Sequence, residues 1–113
     1  MGTNEEIAKM LEGIARLLEV EGVDWEPRSY RIAASNIREA EKVETIFGGE
    51  GWEGLLKIPG VGSSMANHII EYIETGKINK FERLKMKYPK EFLKFEKKEL
   101  ANCGGNTCRK ENI

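Results

Sequence analysis

The sequence predicts an all-α protein, a compact bundle of four to six short helices. Three observations lead to this fold class: apolar residues recur at helical spacing, glycine and proline separate these stretches, and no segment alternates as a strand does. The 113 residues are 40% apolar and 33% charged, which is typical of a globular chain with one core. We therefore expect a single domain over residues 1–98 and a polar, disordered tail over residues 99–113.

The first two helices follow from their apolar stripes and their ends. Helix one is predicted over about residues 4–20, because apolar residues recur every three or four positions until Gly22. Thr3 and Glu6 have the spacing of a capping box at its start. Pro27 suits the first turn of helix two, whose apolar stripe is narrow and flanked by arginines. The stripe of helix two consists of Tyr30, Ala33, Ala34 and Ile37.

The second half of the chain predicts shorter helices on both sides of a glycine-rich turn. A short helix is expected over about residues 42–47, ending at a pair of glycines, and another that contains Trp52 leads into the turn. Ser63 or Ser64 is expected to cap the helix that leaves the turn. A last helical turn follows Pro89. The buried stripes of the later helices are Ala66, Ile69, Ile70 and Ile73, and then Ile78, Phe81, Leu84 and Tyr88.

The turn at residues 57–62 has the composition of an anion-binding loop. Glycine at positions 60 and 62 permits positive φ and lets backbone N–H groups point outward together. The start of the following helix adds unpaired donors and a partial positive charge. A P-loop is excluded, because the turn lacks Gly-Lys-Ser/Thr and no strand precedes it. The turn therefore predicts a site for a phosphate group rather than for a nucleoside triphosphate.

The charges are sorted along the chain, although the net charge is only −1. Residues 1–56 contain 12 acidic and 6 basic side chains, whereas residues 77–98 contain 9 basic and 3 acidic ones. This asymmetry favours a domain with one side that faces an anion. The alternative is a solvated helix face that binds nothing.

The residues around the turn resemble the helix-hairpin-helix DNA-binding motif, here over about residues 52–75. The apolar-glycine-alanine pattern of that motif is matched by Leu55, Ile58, Gly60, Val61, Gly62, Ala66, Ile69 and Ile70. In the motif, amides of the hairpin hold a phosphate of the DNA backbone without reading sequence. The alternative is a glycine-rich corner between packed helices that has no ligand.

A wider stretch, about residues 4–95, resembles the N-terminal 8-kDa domain of family X DNA polymerases, the polymerase beta family. The resemblance rests on SYRIAASNI at 29–37, LLKIPGVG at 55–62 and IIEYIETGKI at 69–78. It implies a bundle of about four helices that grips the downstream side of a gap and binds its 5′-phosphate. In several members this domain also excises 5′-deoxyribose phosphate. The role implied is in gap filling or base-excision repair.

The same resemblance implies particular contacts. Backbone carbonyls of Leu56, Ile58 and Val61 would ligate Na⁺ or K⁺ at the hairpin when DNA is bound, and no other cofactor is expected. The preferred partner would be gapped or 5′-phosphorylated DNA. Tyr30 either contacts phosphate or is a core aromatic with its hydroxyl at the surface, and His68 either donates to a phosphate or is an ordinary exposed residue. The DNA-binding residues implied are Lys57, Gly60, Val61, Gly62, Ser63, Ser64, His68, Lys77, Lys80, Tyr30 and Arg31.

Departures from the family pattern argue against lyase catalysis. The lyase of the family forms its Schiff base through a lysine six residues after the second hairpin glycine, and His68 occupies that position. An imidazole cannot replace a primary amine in this step, because the covalent intermediate requires an amine that attacks and loses water. Ser64 stands at a further basic position of the family's pocket, and Glu26 replaces a lysine of that pocket. We expect no efficient lyase activity; the alternative is a lyase that uses Lys57 or Lys80 as a substitute amine.

The sequence contains little that indicates nucleotidyl transfer, zinc binding or membrane association. Two-metal nucleotidyl transfer needs clustered carboxylates, yet Asp24 is the only aspartate of the 113 residues, so we expect no polymerase palm within them. Cys103 and Cys108 have too few companion ligands for structural zinc. No run reaches the roughly 20 apolar residues that cross a bilayer, and no signal peptide is evident, so we expect a cytoplasmic protein that does not bind membranes. We also expect a monomer. A protein-interaction adaptor with an acidic first helix stays open as an alternative.

Overall fold

The computed structural model describes residues 2–93, and all regular structure within this range is helical. The helices are α1 (Thr3–Glu21), α2 (Glu26–Glu39), α3 (Val43–Leu55), α4 (Ser63–Thr75) and α5 (Asn79–Lys87). A sixth helix, α6, begins at residue 89 and is described as far as residue 93. The predicted all-α bundle is confirmed. The expected tail at 99–113, with Cys103 and Cys108, lies outside the described residues.

Helix α1 forms the centre of the bundle and contacts α2, α3, α4 and α5. Its pairing with α2 is the most extensive in the fold. Gly13 allows α5 to come close, because a Cβ atom at this position would lie 2.6 Å from Cε1 of Phe81. The face that α1 turns toward the core consists of Ile7, Ala8, Leu11, Ile14, Ala15, Leu17 and Leu18.

The start of α1 differs from the predicted capping box. The helix begins at Thr3 after an extended Gly2, and no side chain caps it. The hydroxyl of Thr3 donates to the carboxylate of Glu44 instead, and the backbone N–H of Glu6 donates to the carbonyl of Gly2. The prediction was wrong because Thr3 is already helical, and a capping side chain has to precede the first helical residue.

Asn4 joins the beginning of α1 to the junction between α2 and α3. Its Nδ2 donates to the carbonyl oxygens of Ile37 (2.9 Å), Ala40 (3.3 Å) and Glu41 (2.9 Å). Its Oδ1 accepts from the backbone N–H of Val43 at 3.0 Å, in the first turn of α3. One side chain thus satisfies backbone groups at both helix ends, where the helices themselves leave donors and acceptors unpaired.

Helix α3 continues past the glycine pair at which it was predicted to end. Gly48 and Gly49 are accommodated within the helix, and the break comes at Gly51, which has φ 72° and ψ −156°. A helix tolerates glycine at a modest cost, and it ends only where the backbone leaves helical dihedrals. The break gives residues 52–55 an orientation of their own, and they lead directly into the glycine-rich turn.

Candidate nucleic-acid interface

The turn between residues 56 and 62 is closed by its own backbone. The N–H of Ile58 donates to the carbonyl of Leu55 at 3.1 Å, and the N–H of Val61 donates to the carbonyl of Ile58 at 3.0 Å. Gly60 has φ +83°, a left-handed conformation that glycine adopts without strain. Leu55, Ile58 and Val61 are buried, so the apolar positions of the predicted hairpin motif anchor the turn in the core.

The turn lies against α2. Nδ2 of Asn36 donates to the carbonyl of Pro59 at 2.7 Å. A Cβ atom on Gly60 would lie 2.9 Å from Cγ2 of Ile32 and 3.2 Å from Nδ2 of Asn36. Gly60 is therefore required twice, for its φ and for this close approach. Gly62 differs, because its φ is −97° and a Cβ atom there would meet nothing within 4 Å.

Unpaired backbone donors gather where the turn becomes α4. Gly62 is the residue that precedes the helix, and neither Ser63 nor Ser64 caps it, which corrects the prediction of a serine cap. The first N–H of α4 that finds a backbone acceptor is that of Ala66, which donates to the carbonyl of Gly62 at 2.9 Å. Within residues 2–93, the N–H groups of Gly60, Gly62, Ser63 and Ser64 make no hydrogen bond. Such a cluster at an exposed helix start attracts an anion.

A second cluster brings together Tyr30, His68 and Lys80 from α2, α4 and α5. Tyr30 is 4% exposed, and its hydroxyl oxygen lies 3.2 Å from Nε2 of His68. The ammonium of Lys80 lies 5.4 Å from the centroid of the Tyr30 ring and 3.6 Å from the carboxylate of Glu26. Oε1 of Glu71 lies 3.9 Å from Nδ1 of His68. Glu26 thus pairs with a neighbouring lysine.

His68 is half-buried and hydrogen-bonded, so it is not an ordinary exposed helix residue. Burial is the main cause that lowers the pKa of its imidazole below the ordinary value. The positive charges of Lys80 and Arg83 lower this pKa further, and the carboxylate of Glu71 opposes them. The neutral imidazole is therefore the main form at pH 7, and it shares a hydrogen bond with the hydroxyl of Tyr30.

The other predicted cations differ in how they are held. Arg31 forms a two-point ion pair with Glu19, with N–O distances of 2.6 and 3.0 Å, and this pairing lowers the pKa of the Glu19 carboxyl. Lys57 is exposed beside the turn, and its ammonium lies 3.0 Å from the carboxylate of Glu50. Lys77 is exposed after α4, and among the described residues it forms no ion pair. A phosphate that recruits Arg31 has to compete with Glu19.

The acidic face of α1 is largely neutralised by neighbouring helices. Arg38 of α2 donates to the carboxylates of both Glu5 and Glu12. This contact lowers the pKa of Glu5 and raises that of Arg38. The ammonium of Lys87 pairs with Glu21 at 2.6 Å. These carboxylates are occupied within the fold, which weakens the alternative of an acidic helix that recruits a protein partner.

Sequence reasoning did not find the contact between Trp52 and Asn67. Nε1 of Trp52 donates to Oδ1 of Asn67 at 3.2 Å and links the two helical segments of the hairpin. Asn67 follows Ser63 by four residues and Ser64 by three, a spacing that places all three on one face of α4. That spacing could have placed Asn67 near the predicted phosphate site, but it carries no signal for the contact with Trp52.

Two kinds of feature are absent from the described residues. No group of three or more His, Cys, Asp or Glu side chains in residues 2–93 is placed to hold a metal ion. None of the described helices combines the length and apolarity that crossing a bilayer requires. Neither finding bears on a cation that backbone carbonyls alone would bind.

A comparison with known protein families agrees with this geometry. A family model described as a helix-hairpin-helix domain matches residues 2–78. The matched segment contains α1 to α4 and the whole glycine-rich turn. It also contains the exposed donors at the start of α4 and extends over more than half of the chain. The chain belongs to the helix-hairpin-helix domain family.

Proposed function

We propose that this domain binds the sugar-phosphate backbone of DNA without sequence preference. The observation that carries the proposal is the group of unpaired N–H donors at Gly60, Gly62, Ser63 and Ser64, on an exposed helix start. Backbone amides recognise phosphate oxygens but carry no information about bases. Helix-hairpin-helix domains generally bind DNA, which agrees with this chemistry.

Basic side chains add to the phosphate contact. Lys57 and Lys77 are exposed beside the two ends of the hairpin, and Lys80 lies in the first turn of α5. With about four phosphates neutralised in all, affinity should fall with salt at a log–log slope of roughly −3 to −4. The interaction is then weak to moderate at physiological salt.

We also propose that carbonyl groups of the turn bind a monovalent cation, Na⁺ or K⁺, when DNA is bound. The carbonyl oxygens of Leu56 and Val61 accept no hydrogen bond within the described part of the chain, and that of Ile58 accepts only one. Each carbonyl oxygen has two lone pairs, so all three retain capacity to ligate a cation. The cation would supply positive charge between these oxygens and a DNA phosphate, while the carbonyls would hold it in place.

We further propose a preference for gapped or 5′-phosphorylated DNA, in a repair role like that of family X polymerases, with the domain acting as a monomer. Support comes from the cluster of Tyr30, His68 and Lys80, which gathers residues that the resemblance assigns to DNA contact. His68 and Lys80 leave one titratable imidazole and one ammonium beside a buried aromatic ring. Arg31 joins them only after it exchanges Glu19 for phosphate.

The test is a titration of the domain against three duplexes at two salt concentrations. One duplex carries a one-nucleotide gap with a 5′-phosphate, the second the same gap with a 5′-hydroxyl, and the third is intact. Salt-sensitive binding to all three supports the backbone contact, and tighter binding to the phosphorylated gap supports the end preference. Absence of binding at low salt overturns the proposed function.

A 5′-deoxyribose phosphate lyase that uses Lys80 is a second candidate. The observation that favours it is the position of Lys80, which lies close to Tyr30 and lines a cleft of about 430 Å³ beside α1 and α5. A nucleophilic amine must be unprotonated and released from Glu26, so any activity should be slow. Borohydride trapping on an abasic 5′-end tests this, since the imine is reduced to a stable adduct. The adduct should disappear in Lys80→Ala and persist in Lys57→Ala.

A further inference from the structure

The hydrogen bond between Trp52 and Asn67 can run in only one direction. An indole N–H can only donate a hydrogen bond, so the atom of Asn67 that lies 3.2 Å from it has to be the amide oxygen. The NH₂ group of Asn67 therefore points away from the indole. Within residues 2–93 its two N–H bonds meet no acceptor, and Asn67 is exposed. The contact thus presents two oriented donors to solvent.

These donors lie close to the phosphate site proposed above. Asn67 shares a face of α4 with Ser63 and Ser64, one turn further along the helix. Four residues of helix advance by about 6 Å. This separation is of the same order as that between neighbouring phosphates on one strand of DNA. A strand with one phosphate at the start of α4 can therefore place its next phosphate beside Asn67.

The indole of Trp52 lies beside the DNA strand that would connect these two phosphates. Trp52 is 37% exposed, although it is hydrogen-bonded across the hairpin. An aromatic surface that is held in one orientation loses little conformational freedom when a sugar packs against it. The break at Gly51 makes this orientation possible, because it separates residues 52–55 from the rest of α3.

We propose that Asn67, oriented by Trp52, donates to a second phosphate of the strand whose first phosphate is held by the amides at the start of α4. The exposed part of the indole packs against the deoxyribose between the two phosphates. This inference rests on the proposed function and narrows its ligand. The hairpin recognises two consecutive phosphates of a continuous strand, not an isolated phosphate ion.

Three substitutions separate phosphate contact from mere linking of the two helices. Asn67→Asp retains an oxygen for the indole N–H but replaces the outward donors with negative charge, so it should bind an intact duplex about tenfold more weakly or worse. Asn67→Ala removes both the link and the donors, and binding should weaken about three- to tenfold. Its salt slope should not change, because the amide is uncharged. Trp52→Phe removes the link but keeps an aromatic ring.

Two controls accompany these variants. Lys9→Gln, on the exposed side of α1, changes the net charge as much as Asn67→Asp does and should alter affinity less than twofold. Thermal unfolding of every variant shows whether the fold is retained. Because a negative charge near DNA weakens binding by itself, Asn67→Ala decides the question, with Trp52→Phe as the reference for the lost link.

Fluorescence gives an independent readout. Trp25 and Trp52 are the two tryptophans of the chain, so Trp25→Phe leaves Trp52 as the single indole. The emission of this variant should change when an intact duplex is added and should stay constant with inorganic phosphate at the same ionic strength. Unchanged emission with bound duplex would contradict the packing of the indole against the strand.

The outcomes distinguish DNA binding by the domain from the contact of Asn67 with a second phosphate. If the wild-type domain binds duplex and Asn67→Ala binds it more weakly than Trp52→Phe at an unchanged salt slope, the second phosphate contact is supported. If wild type binds and Asn67→Ala binds no more than twofold more weakly than Trp52→Phe, the inference is overturned while the proposed function stands. If wild type does not bind at low salt, both are overturned.

Discussion

The hydroxyl of Tyr30 and Nε2 of His68 lie 3.2 Å apart, although the two residues are separated by 38 positions in the sequence. The pair joins α2 to α4. Lys80 and Glu71 border it, with Lys80 over the Tyr30 ring and Glu71 beside Nδ1 of His68. The protonation state of one imidazole is therefore linked to the packing of two helices.

Stability should decrease when the pH falls through the range in which His68 titrates. Burial lowers the pKa of His68 in the folded state, so the unfolded chain binds a proton more readily. The stability contributed by the neutral imidazole is complete above about pH 6.5 and is lost as the pH falls toward the folded-state pKa. Urea unfolding from pH 7.5 to 5.5 measures this decrease.

His68→Gln is the control for that measurement. The variant keeps a polar group beside Tyr30 but cannot titrate, so its stability should vary less over the same interval. The paired carboxylates Glu5 and Glu19 do not interfere, because their pKa values are lowered and they titrate under more acidic conditions. Equal pH dependence in wild type and variant would contradict the assignment of the stability loss to His68.

Gly13→Ala should destabilise the fold through contact with α5. The added Cβ would lie 2.6 Å from Cε1 of Phe81, too close for van der Waals contact. Overpacking of this kind costs about 1–3 kcal/mol of the free energy of unfolding. Gly48→Ala is the matched control, since its Cβ would meet nothing within 4 Å and helical alanine is favoured by about 0.5–1 kcal/mol. Phe81→Leu should partly rescue Gly13→Ala.

Asn4→Ala should lower the free energy of unfolding by about 2 kcal/mol. The substitution removes the donor to three carbonyls and the acceptor for the N–H of Val43. Asn4→Asp keeps the acceptor for Val43 but places a carboxylate oxygen against the three carbonyls, so it should be no more stable than Asn4→Ala. Denaturant titration gives the values. A loss of less than 0.5 kcal/mol, roughly the scatter of surface substitutions, would argue against this role of Asn4.

Lys77→Ala should reduce the salt dependence of DNA binding. Removal of one phosphate contact lowers the magnitude of the log–log slope by about one. Lys9→Gln removes the same charge from α1 and should leave the slope unchanged. Equal slopes for both variants would show that Lys77 does not contact the DNA backbone.

Local features of the molecule could be predicted from the sequence, and long-range ones could not. The bounds of α1 and the burial of Leu55, Ile58 and Val61 follow from apolar spacing, which packing reinforces. The end of α3 was missed because Gly48, Gly49 and Gly51 are chemically identical, and tertiary packing decides which of them leaves helical dihedrals.

In the candidate site, too, local features could be predicted and long-range contacts could not. The hairpin could be located because its glycines and apolar residues are consecutive in the chain. The pairing of Arg31 with Glu19 could not be predicted, since it depends on how α1 crosses α2. The orientation of the Asn67 side-chain amide likewise depends on Trp52, which lies fifteen residues earlier and contacts it across the turn.

The central claim is that the exposed amides at the start of α4 hold DNA phosphate, and Gly62 offers the most direct test. A side chain at this position meets open space and needs no positive φ, so both Gly62→Ala and Gly62→Glu should fold. The measurement is the affinity of wild type and both variants for a 5′-phosphorylated gapped duplex at low salt. We predict near wild-type binding for Gly62→Ala and at least a tenfold loss for Gly62→Glu, whose carboxylate competes for the same donors. Wild-type affinity in a folded Gly62→Glu variant would contradict the account.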